Sequence, residues 1–498
     1  MAVIAERETA SSQTGLSAPK RALLEKWARG QAPNSSPAQG QGIPRRTQTG
    51  VIPLSFAQQG LWFFSQLEPS SPLYNIVVAV QLRGPLNSVA LQKSLDAILT
   101  RHEALRTHFT LEDDGPIQRI DAPSAVPMKL IDLKGMPPAQ RQTETSRLLS
   151  EEARQPFDIE RDTLIRALLV QIEEREWAFL VVMHHIVSDL LSWRVLCKEL
   201  AALYQGNVSG QDAQLPDLPI QYADFASWQR QSLSSDSLKE HVQYWRRQLA
   251  GSPPFLHFPA DHARPEVQSF HGACEYLTLP GKLSEQLKAL SASQGATLFM
   301  TLLAGFQALL HRYTATDDVL IGSPIGGRTR AELEPLVGHF VNTLVLRANF
   351  AEKPNFRELL RKVRTVVLEA LEHQDLPFEK LVEELQPERS ASYSPVIQVL
   401  FAHHTAPAHS FQLPGLSVTP LNVDSGTAKF DLTLFVLESD GSLTCQAEYD
   451  TALFEARTIR QFLADYQLLL ERVVSNPDQR VSELSLSFAH HDSTKKIL

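Results

Sequence analysis

The chain has 498 residues, 43% hydrophobic and 21% charged, with a formal net charge of −9 and a pI near 6.0. That acid excess excludes a general nucleic-acid binder, which neutralises phosphates with surplus Lys and Arg. Three scattered cysteines (Cys197, Cys274, Cys445), no apolar signal core in MAVIAERETA and no apolar run of spanning length argue for a soluble cytoplasmic protein without disulfides or membrane contact.

A chain this long exceeds one hydrophobic core, so two lobes are expected. Residues 1–50 read as a basic helix over 17–29 and then a Gly/Pro/Gln/Ser-rich linker. Lys20, Arg21, Lys26 and Arg29 give that helix either a solvated or a docking face. The globular part opens with Leu54-Ser55-Phe56-Ala57-Gln58-Gln59-Gly60-Leu61-Trp62 and Gln66-Leu67. Residues 77–82 predict a strand, and Leu91, Leu95, Ile98 and Leu99 give a following helix its apolar stripe. It ends in Arg101-His102-Glu103-Ala104-Leu105-Arg106-Thr107-His108-Phe109, where His102 and Arg106 read as structural. A helix near 144–153 and a strand near 164–171 lead to the apolar run 177–183, a strand buried on both faces.

That strand delivers His184, His185 and, four residues on, Asp189. Period two predicts that the histidines point to opposite faces, so one of them faces a given cavity. Leu190, Leu191, Val195, Leu196 and Leu200 have helical spacing, which puts Asp189 at a helix start, where a carboxylate caps amides or pairs with an arginine. The plain alternatives are a hydrogen-bonded core histidine and a simple N-cap. No metal is expected: the pattern offers two side chains on a common side, and the chain has no H-E-x-x-H or paired Cys-x-x-Cys.

Further on come Ile220-Gln221-Tyr222-Ala223-Asp224-Phe225-Ala226-Ser227-Trp228-Gln229-Arg230 and a polar helix over 232–250, read as the crossing between lobes. Pro253, Pro254, Pro259 and Pro265 break the chain into an extended connection. Then strand (274–279), helix (Leu283, Leu287, Leu290), apolar helix (298–313) and strand (319–322) recur, suggesting two related lobes without a residue-level repeat. In Ile321-Gly322-Ser323-Pro324-Ile325-Gly326-Gly327-Arg328 the glycines imitate a phosphate loop. Arg328 replaces the needed Lys, however, and Pro324 removes an amide, so ATP is not expected. Val337-Gly338-His339-Phe340-Val341-Asn342-Thr343-Leu344 and His373-Gln374-Asp375-Leu376-Pro377-Phe378-Glu379-Lys380-Leu381-Val382 follow, then strands at 395–401 and 430–434 and a helix to Val474. His339, His373, His403 and His404 read as structural or exposed. With no G-x-S-x-G elbow, Ser188 and Ser192 are poor nucleophile candidates.

The stretch from His184 to Asp189 resembles the HHxxxDG signature of nonribosomal peptide synthetase condensation domains, within the chloramphenicol acetyltransferase-like superfamily. The other stretches resemble that family's SxAQxRLWxxxQL (with Gly60 where many members carry Arg), RHExLRTxF, YxDFAxWQ, IGxPxxGR, GxFVNTL and HQDxPFExLV. The resemblance spans roughly residues 50–486 and implies an α/β fold of two acetyltransferase-like lobes, V-shaped, with the active site in a tunnel between them. Residues 51–230 would form the N-terminal lobe, 231–486 the C-terminal lobe and 487–498 a tail. The implied reaction joins a carrier-bound acyl or aminoacyl thioester to an acceptor amine or hydroxyl, giving an amide or ester. Substrates would arrive on the 4'-phosphopantetheine of carrier proteins, with a soluble amine or alcohol as another acceptor, and the chain itself would bind no cofactor.

By the same resemblance His185 is catalytic, His184 supports it, and Arg328 pairs with Asp189 across the lobes. Leu190, Trp193 and Asn342 are assigned to the substrate tunnel. The short basic helix resembles the leader of such chains, and the sequence stops without adenylation or carrier regions, so a free-standing protein is expected. Leu190 departs from the family's Gly; its helical spacing favours core packing over narrowing the tunnel. Two other readings compete, an acyl-CoA-dependent acyltransferase of the superfamily and a non-catalytic docking domain. Both histidines are retained, which counts against docking and against heterocyclisation domains, where Asp replaces the first. Ser192-Trp193-Arg194 is similar to epimerisation domains, but YADFASWQ and HQDLPFE fit condensation better.

Overall fold

A computed structural model describes residues 42–486 apart from 47–49, 114, 233–235, 389, 406–411, 440 and 485. The expected leader helix with its basic face, and the tail 487–498, lie outside the described residues. The first half runs β1 (Ile52–Pro53), α1 (Phe56–Leu67), β2 (Asn75–Arg83), α2 (Ser88–Arg101), β3 (Thr107–Glu112), β4 (Gly115–Ile120), β5 (Met128–Asp132), α3 (Pro138–Arg154), β6 (Ile165–Glu173), β7 (Glu176–His184), α4 (Leu190–Ser209) and α5 (Tyr222–Ser232). The second runs α6 (Asp236–Gln248), β8 (Gly272–Leu279), α7 (Gly281–Ser293), α8 (Leu298–Thr314), β9 (Asp318–Ile325), β10 (Asn342–Asn349), α9 (Phe356–Glu372), α10 (Phe378–Leu385), β11 (Val399–Thr405), β12 (Ser417–Leu421), β13 (Leu432–Ser439), β14 (Ser442–Asp450) and α11 (Ala456–Ser475).

These elements make a mixed α/β fold with one sheet and one core per lobe. The N-terminal sheet has the order β12-β2-β7-β6-β5 and the C-terminal sheet β10-β9-β11-β13-β14-β8, while β1, β4 and β3 form a small antiparallel sheet. Residues 177–184 of β7 are all buried, as an apolar run without alternation requires when helices and neighbouring strands cover both faces. The α2 stripe of Leu91, Leu95, Ile98 and Leu99 is buried, and Asn87 caps the helix by accepting from the Ala90 amide. Helix α8 is apolar all round and buried from 299 to 310, the position of a central helix. Among the described residues no single helix is long and apolar enough to cross a membrane.

Two boundaries differ from the sequence reading. β11 begins at Val399 rather than at 395, because Val396 takes a φ of 69° and the Gln398 side chain leaves the run to accept the Leu256 amide at 2.9 Å. The division at 230/231 is also crossed. β12 returns to the N-terminal sheet and pairs antiparallel with β2 from Ser417↔Arg83 to Leu421↔Ala79, and Leu413 joins the N-terminal core. The exposed edge that β2 would present is thereby covered by chain from the other lobe. A third cluster, including Ala104, Tyr222, Phe225, Leu336 and Phe340, draws on both halves of the sequence and forms the seam beside which the site lies.

Candidate active site

β7 ends at His184, and His185-Ile186-Val187 form a single 3₁₀ turn. The opposite-face argument therefore does not apply, since His185 is not a strand residue. Both rings instead flank Tyr74, each with its centroid 6.4 Å from the tyrosine ring. The turn is held from outside: the His185 amide donates to the Tyr74 carbonyl at 2.8 Å, and Gln58 Nε2 donates to the Ile186 carbonyl at 3.2 Å. Gln58 is fixed in turn by a capping box with Ser55 at the start of α1.

The two imidazoles have distinct tautomers. His185 Nδ1 lies 2.8 Å from the Ser188 carbonyl. A carbonyl only accepts, so Nδ1 carries the proton and Nε2 keeps a free lone pair. His184 Nδ1 accepts from the Ile186 amide at 3.2 Å, which puts the proton of neutral His184 on Nε2. His184 is 6% exposed, edge-on to Phe157, and burial first, then His185 and Arg166, push its pKa down to about 3. Burial also lowers the pKa of His185, with Lys429 adding to the effect and Asp189 opposing it. Both rings are neutral at pH 7.

Asp189 caps α4 and is fully buried. Its Oδ1 accepts from the Ser192 amide at 2.7 Å and from Arg328 Nη2 at 3.0 Å. Its Oδ2 accepts from Arg328 Nη1 at 2.8 Å and from the Phe340 amide at 3.1 Å. Arg328 also donates to Ser192 Oγ at 3.0 Å and to the Leu336 carbonyl at 3.1 Å, and stacks over the Phe340 ring at 4.3 Å. Two glycines permit this closeness. A Cβ on Gly327 (φ +62°) would stand 1.8 Å from the Phe340 oxygen, and one on Gly338 would stand 1.9 Å from the Tyr222 ring.

His339, structural or exposed by its sequence pattern, belongs to the site. It is 8% exposed and its ring meets His185 edge to face, 4.5 Å between centroids. Its carbonyl accepts from the Tyr222 hydroxyl at 2.6 Å, while its Nδ1 is buried without a hydrogen-bond partner. Burial and the neighbouring His185 hold its pKa well below the usual imidazole range. The available signal was the spacing of His339 from Arg328, which places both on the segment wrapping Asp189. Lys429, which no sequence motif singles out, lies over the Tyr74 ring at 5.1 Å, within electrostatic reach of His185 and His339.

Leu190 has ordinary helical backbone at the first position of α4 but does not pack in the core: it is 47% exposed. Trp193 is half-buried against the N-terminal core. The Asn342 amide is spent on the protein, donating to the carbonyls of Gln374 and Leu376 at 2.8 Å each and accepting from the amides of Thr343 at 2.8 Å and Phe378 at 2.9 Å. It frames the site by tying β10 to α10, and offers substrate no free polar atom. His102 is structural, bonded to Glu199 at 2.8 Å between α2 and α4. Among the described residues no group of three His, Cys, Asp or Glu side chains is arranged to hold a metal ion.

The condensation domain family model matches residues 48–497, and the chain belongs to that family. A linear gramicidin synthase of Brevibacillus parabrevis is 44% identical over 87% of this chain, which spans 9% of that protein. Phosphinothricin tripeptide synthetase PhsC of Streptomyces viridochromogenes is 39% identical over 94% of this chain, which spans 43% of it. The X-domain from teicoplanin biosynthesis superposes with a TM-score of 0.82 at 28% identity, covering 90% of this chain and 100% of that one. That X-domain is also known in complex with OxyB. The fold is that of a condensation domain, and the relatives it matches are subunits of nonribosomal peptide synthetases.

The buried charges have measurable consequences. Asp189→Ala strands Arg328 without a counter-charge and is expected to lower unfolding free energy by about 3–5 kcal/mol; a urea midpoint equal to the parent's would contradict the role given to the pair. His184, neutral when folded and with a pKa of about 3, meets an unfolded state that protonates below 6.5. Its contribution is thus complete above pH 6.5 and declines as pH falls towards 3, by about 2 kcal/mol at pH 5. His184→Gln should flatten the stability difference between pH 7.5 and 5 by that amount in parallel urea titrations.

Proposed function

We propose that this chain joins an acyl or aminoacyl group, held as a thioester on a carrier protein's phosphopantetheine, to an acceptor amine or hydroxyl. The product is an amide or ester, and the carrier thiol is released. The observation that carries this reading is the free Nε2 lone pair of His185, on a neutral imidazole locked by Ser188 at the seam between the lobes. A thioester is already activated, so the protein has to align two tethered reactants, move one proton and stabilise charge. The amine lone pair attacks the thioester carbonyl carbon, and the π electrons move to oxygen. As the tetrahedral species collapses, the C–S bond breaks and its electron pair leaves on sulfur. His185 Nε2 takes the proton lost by nitrogen and returns it to the thiolate.

In this scheme His184 supports the turn from behind, and Asp189 with Arg328 fixes the frame to which both lobes attach. The two lobes form a V whose central tunnel admits donor and acceptor from opposite ends, with Leu190 and Trp193 near its wall. An acyl-CoA presents the same thioester and is the competing donor. A docking function is the second reading, favoured by the backbone likeness to the teicoplanin X-domain, which forms a complex with OxyB.

The test mixes the chain with acyl-loaded donor carrier and aminoacyl-loaded acceptor carrier, or with acyl-CoA, and follows products by intact mass. Carrier-dependent product is expected, with His185→Ala folded by circular dichroism but slowed at least about 100-fold in single turnover. Near-normal turnover by that variant would remove His185 from the chemistry, and a parent that binds carriers but makes no product would leave the docking reading. Because burial lowers the His185 pKa, the acid limb of kcat/KM should lie below pH 6.5. Leu190→Gly should widen acceptor tolerance while leaving small acceptors nearly unchanged. A rise from near zero on every acceptor would instead mark the parent as a disabled, docking-type member.

A further inference from the structure

His339 stands on a rigid mount. The residues on either side of it are pinned by the buried network around Asp189: the Gly338 amide donates to Ser192 Oγ at 3.1 Å, and the Phe340 amide to Asp189 Oδ2 at 3.1 Å. Its own carbonyl accepts from the Tyr222 hydroxyl at 2.6 Å, and that hydroxyl meets Ser55 Oγ at 2.9 Å. The ring carried by this backbone lies edge to face with His185, 4.5 Å between centroids. A group reacting beside His185 is therefore next to a second imidazole whose position is already fixed.

The surroundings also settle where that imidazole carries its proton. In a side chain only 8% exposed, Nδ1 is sealed from solvent and has no hydrogen-bond partner among the described residues, whereas Nε2 is not sealed in this way. A neutral imidazole has one N–H and one lone pair. On Nδ1 the proton would be buried without an acceptor; on Nε2 it is free to donate. Burial above all, and then His185, keeps the ring uncharged. A phenyl ring would fill much the same space without stranding a nitrogen, so packing alone does not account for an imidazole here. We propose that His339 is a second imidazole of the reaction centre, donating a hydrogen bond from Nε2 to the thioester carbonyl oxygen on which negative charge gathers during attack. An N–H already in place and withdrawn from bulk water stabilises that charge without reorganising. His185 handles the proton of the attacking nitrogen, and His339 gives up none. The inference rests on the condensation reading for its reacting group.

The experiment replaces His339 in the full chain by Phe, Gln and Asn. His339→Phe keeps a packed ring and lacks the donor. It should melt at or above the parent's temperature, because no nitrogen is stranded. Its kcat should fall about 100-fold, with KM for both carriers within about twofold of the parent and the acid limb of kcat/KM in place. His339→Gln, whose amide nitrogen reaches as far as imidazole Nε2, should return kcat to within about tenfold of the parent, and His339→Asn, which reaches only as far as Nδ1, should not. A second readout needs no turnover. The infrared carbonyl stretch of an acyl-pantetheine, isotopically labelled at the thioester carbon, should lie lower when bound to the parent than when bound to His339→Phe. If the parent makes no product, the condensation reading falls, while the carbonyl frequency still decides the inference. Near-parental kcat in His339→Phe, or a loss of activity that tracks lost stability or a displaced acid limb, overturns it. So does a carbonyl stretch equal in the two proteins, or the lack of a bound band in the parent; His339 is then a packing ring against His185.

Discussion

The buried pair of Asp189 and Arg328 is the constraint on which the rest of this structure depends. Its two charges come from sequence positions 139 residues apart, with side chains 0% and 4% exposed. Ionic groups so deeply removed from water are tolerated only when nearly every lone pair and proton finds a partner, and here Ser192, Leu336 and Phe340 supply the rest, leaving Arg328 Nε as the one buried donor of the pair without an acceptor among the described residues. Closing that network fixes the start of α4, the 328–340 segment and the seam aromatics in one arrangement. The backbone between Asp189 and the β7 terminus has little freedom left, so His185 is presented with its Nδ1 already committed to Ser188. The pair acts on His185 through geometry, by holding the turn that carries it.

The lobes are more entangled than a two-part chain suggests. β12 crosses to the edge of β2, Leu413 enters the N-terminal core, and α5 meets the second half through Tyr222, whose hydroxyl donates to the His339 carbonyl at 2.6 Å. The β12–β2 pairing gives backbone groups that would otherwise face water a partner elsewhere in the chain.

Much of this was legible in the sequence where the signal was local. Apolar runs marked β6 and β7, the α2 stripe marked its helix, and a carboxylate before helical spacing marked the cap at Asp189. Periodicity failed at His185 because it describes a strand and says nothing of where the strand stops; the Ser188 carbonyl and the Gln58 brace end β7 one residue earlier. Leu190 shared the spacing of its neighbours but sits in the first turn, where the helix has not yet met its core. His339 was illegible for a different reason. Its importance lies in a 4.5 Å approach to the ring of His185, far away in sequence, and no local pattern records such a contact.

The three imidazoles owe their neutral state to their surroundings rather than to any one partner. The proposed role of His185 requires a neutral ring, and a water-filled pocket would leave its protonation to the solvent. Here burial and crowding favour the neutral form of His184, His185 and His339 alike, since each charged ring would raise the cost of charging the next. Lys429 strengthens that bias from above the Tyr74 ring, while Asp189 restrains it at His185. The balance falls on a ring held neutral by burial yet close enough to a carboxylate that its charged form is partly compensated. The neutral state of these rings is therefore a property of the whole seam, set by which charges it buries in pairs and which rings it buries without them.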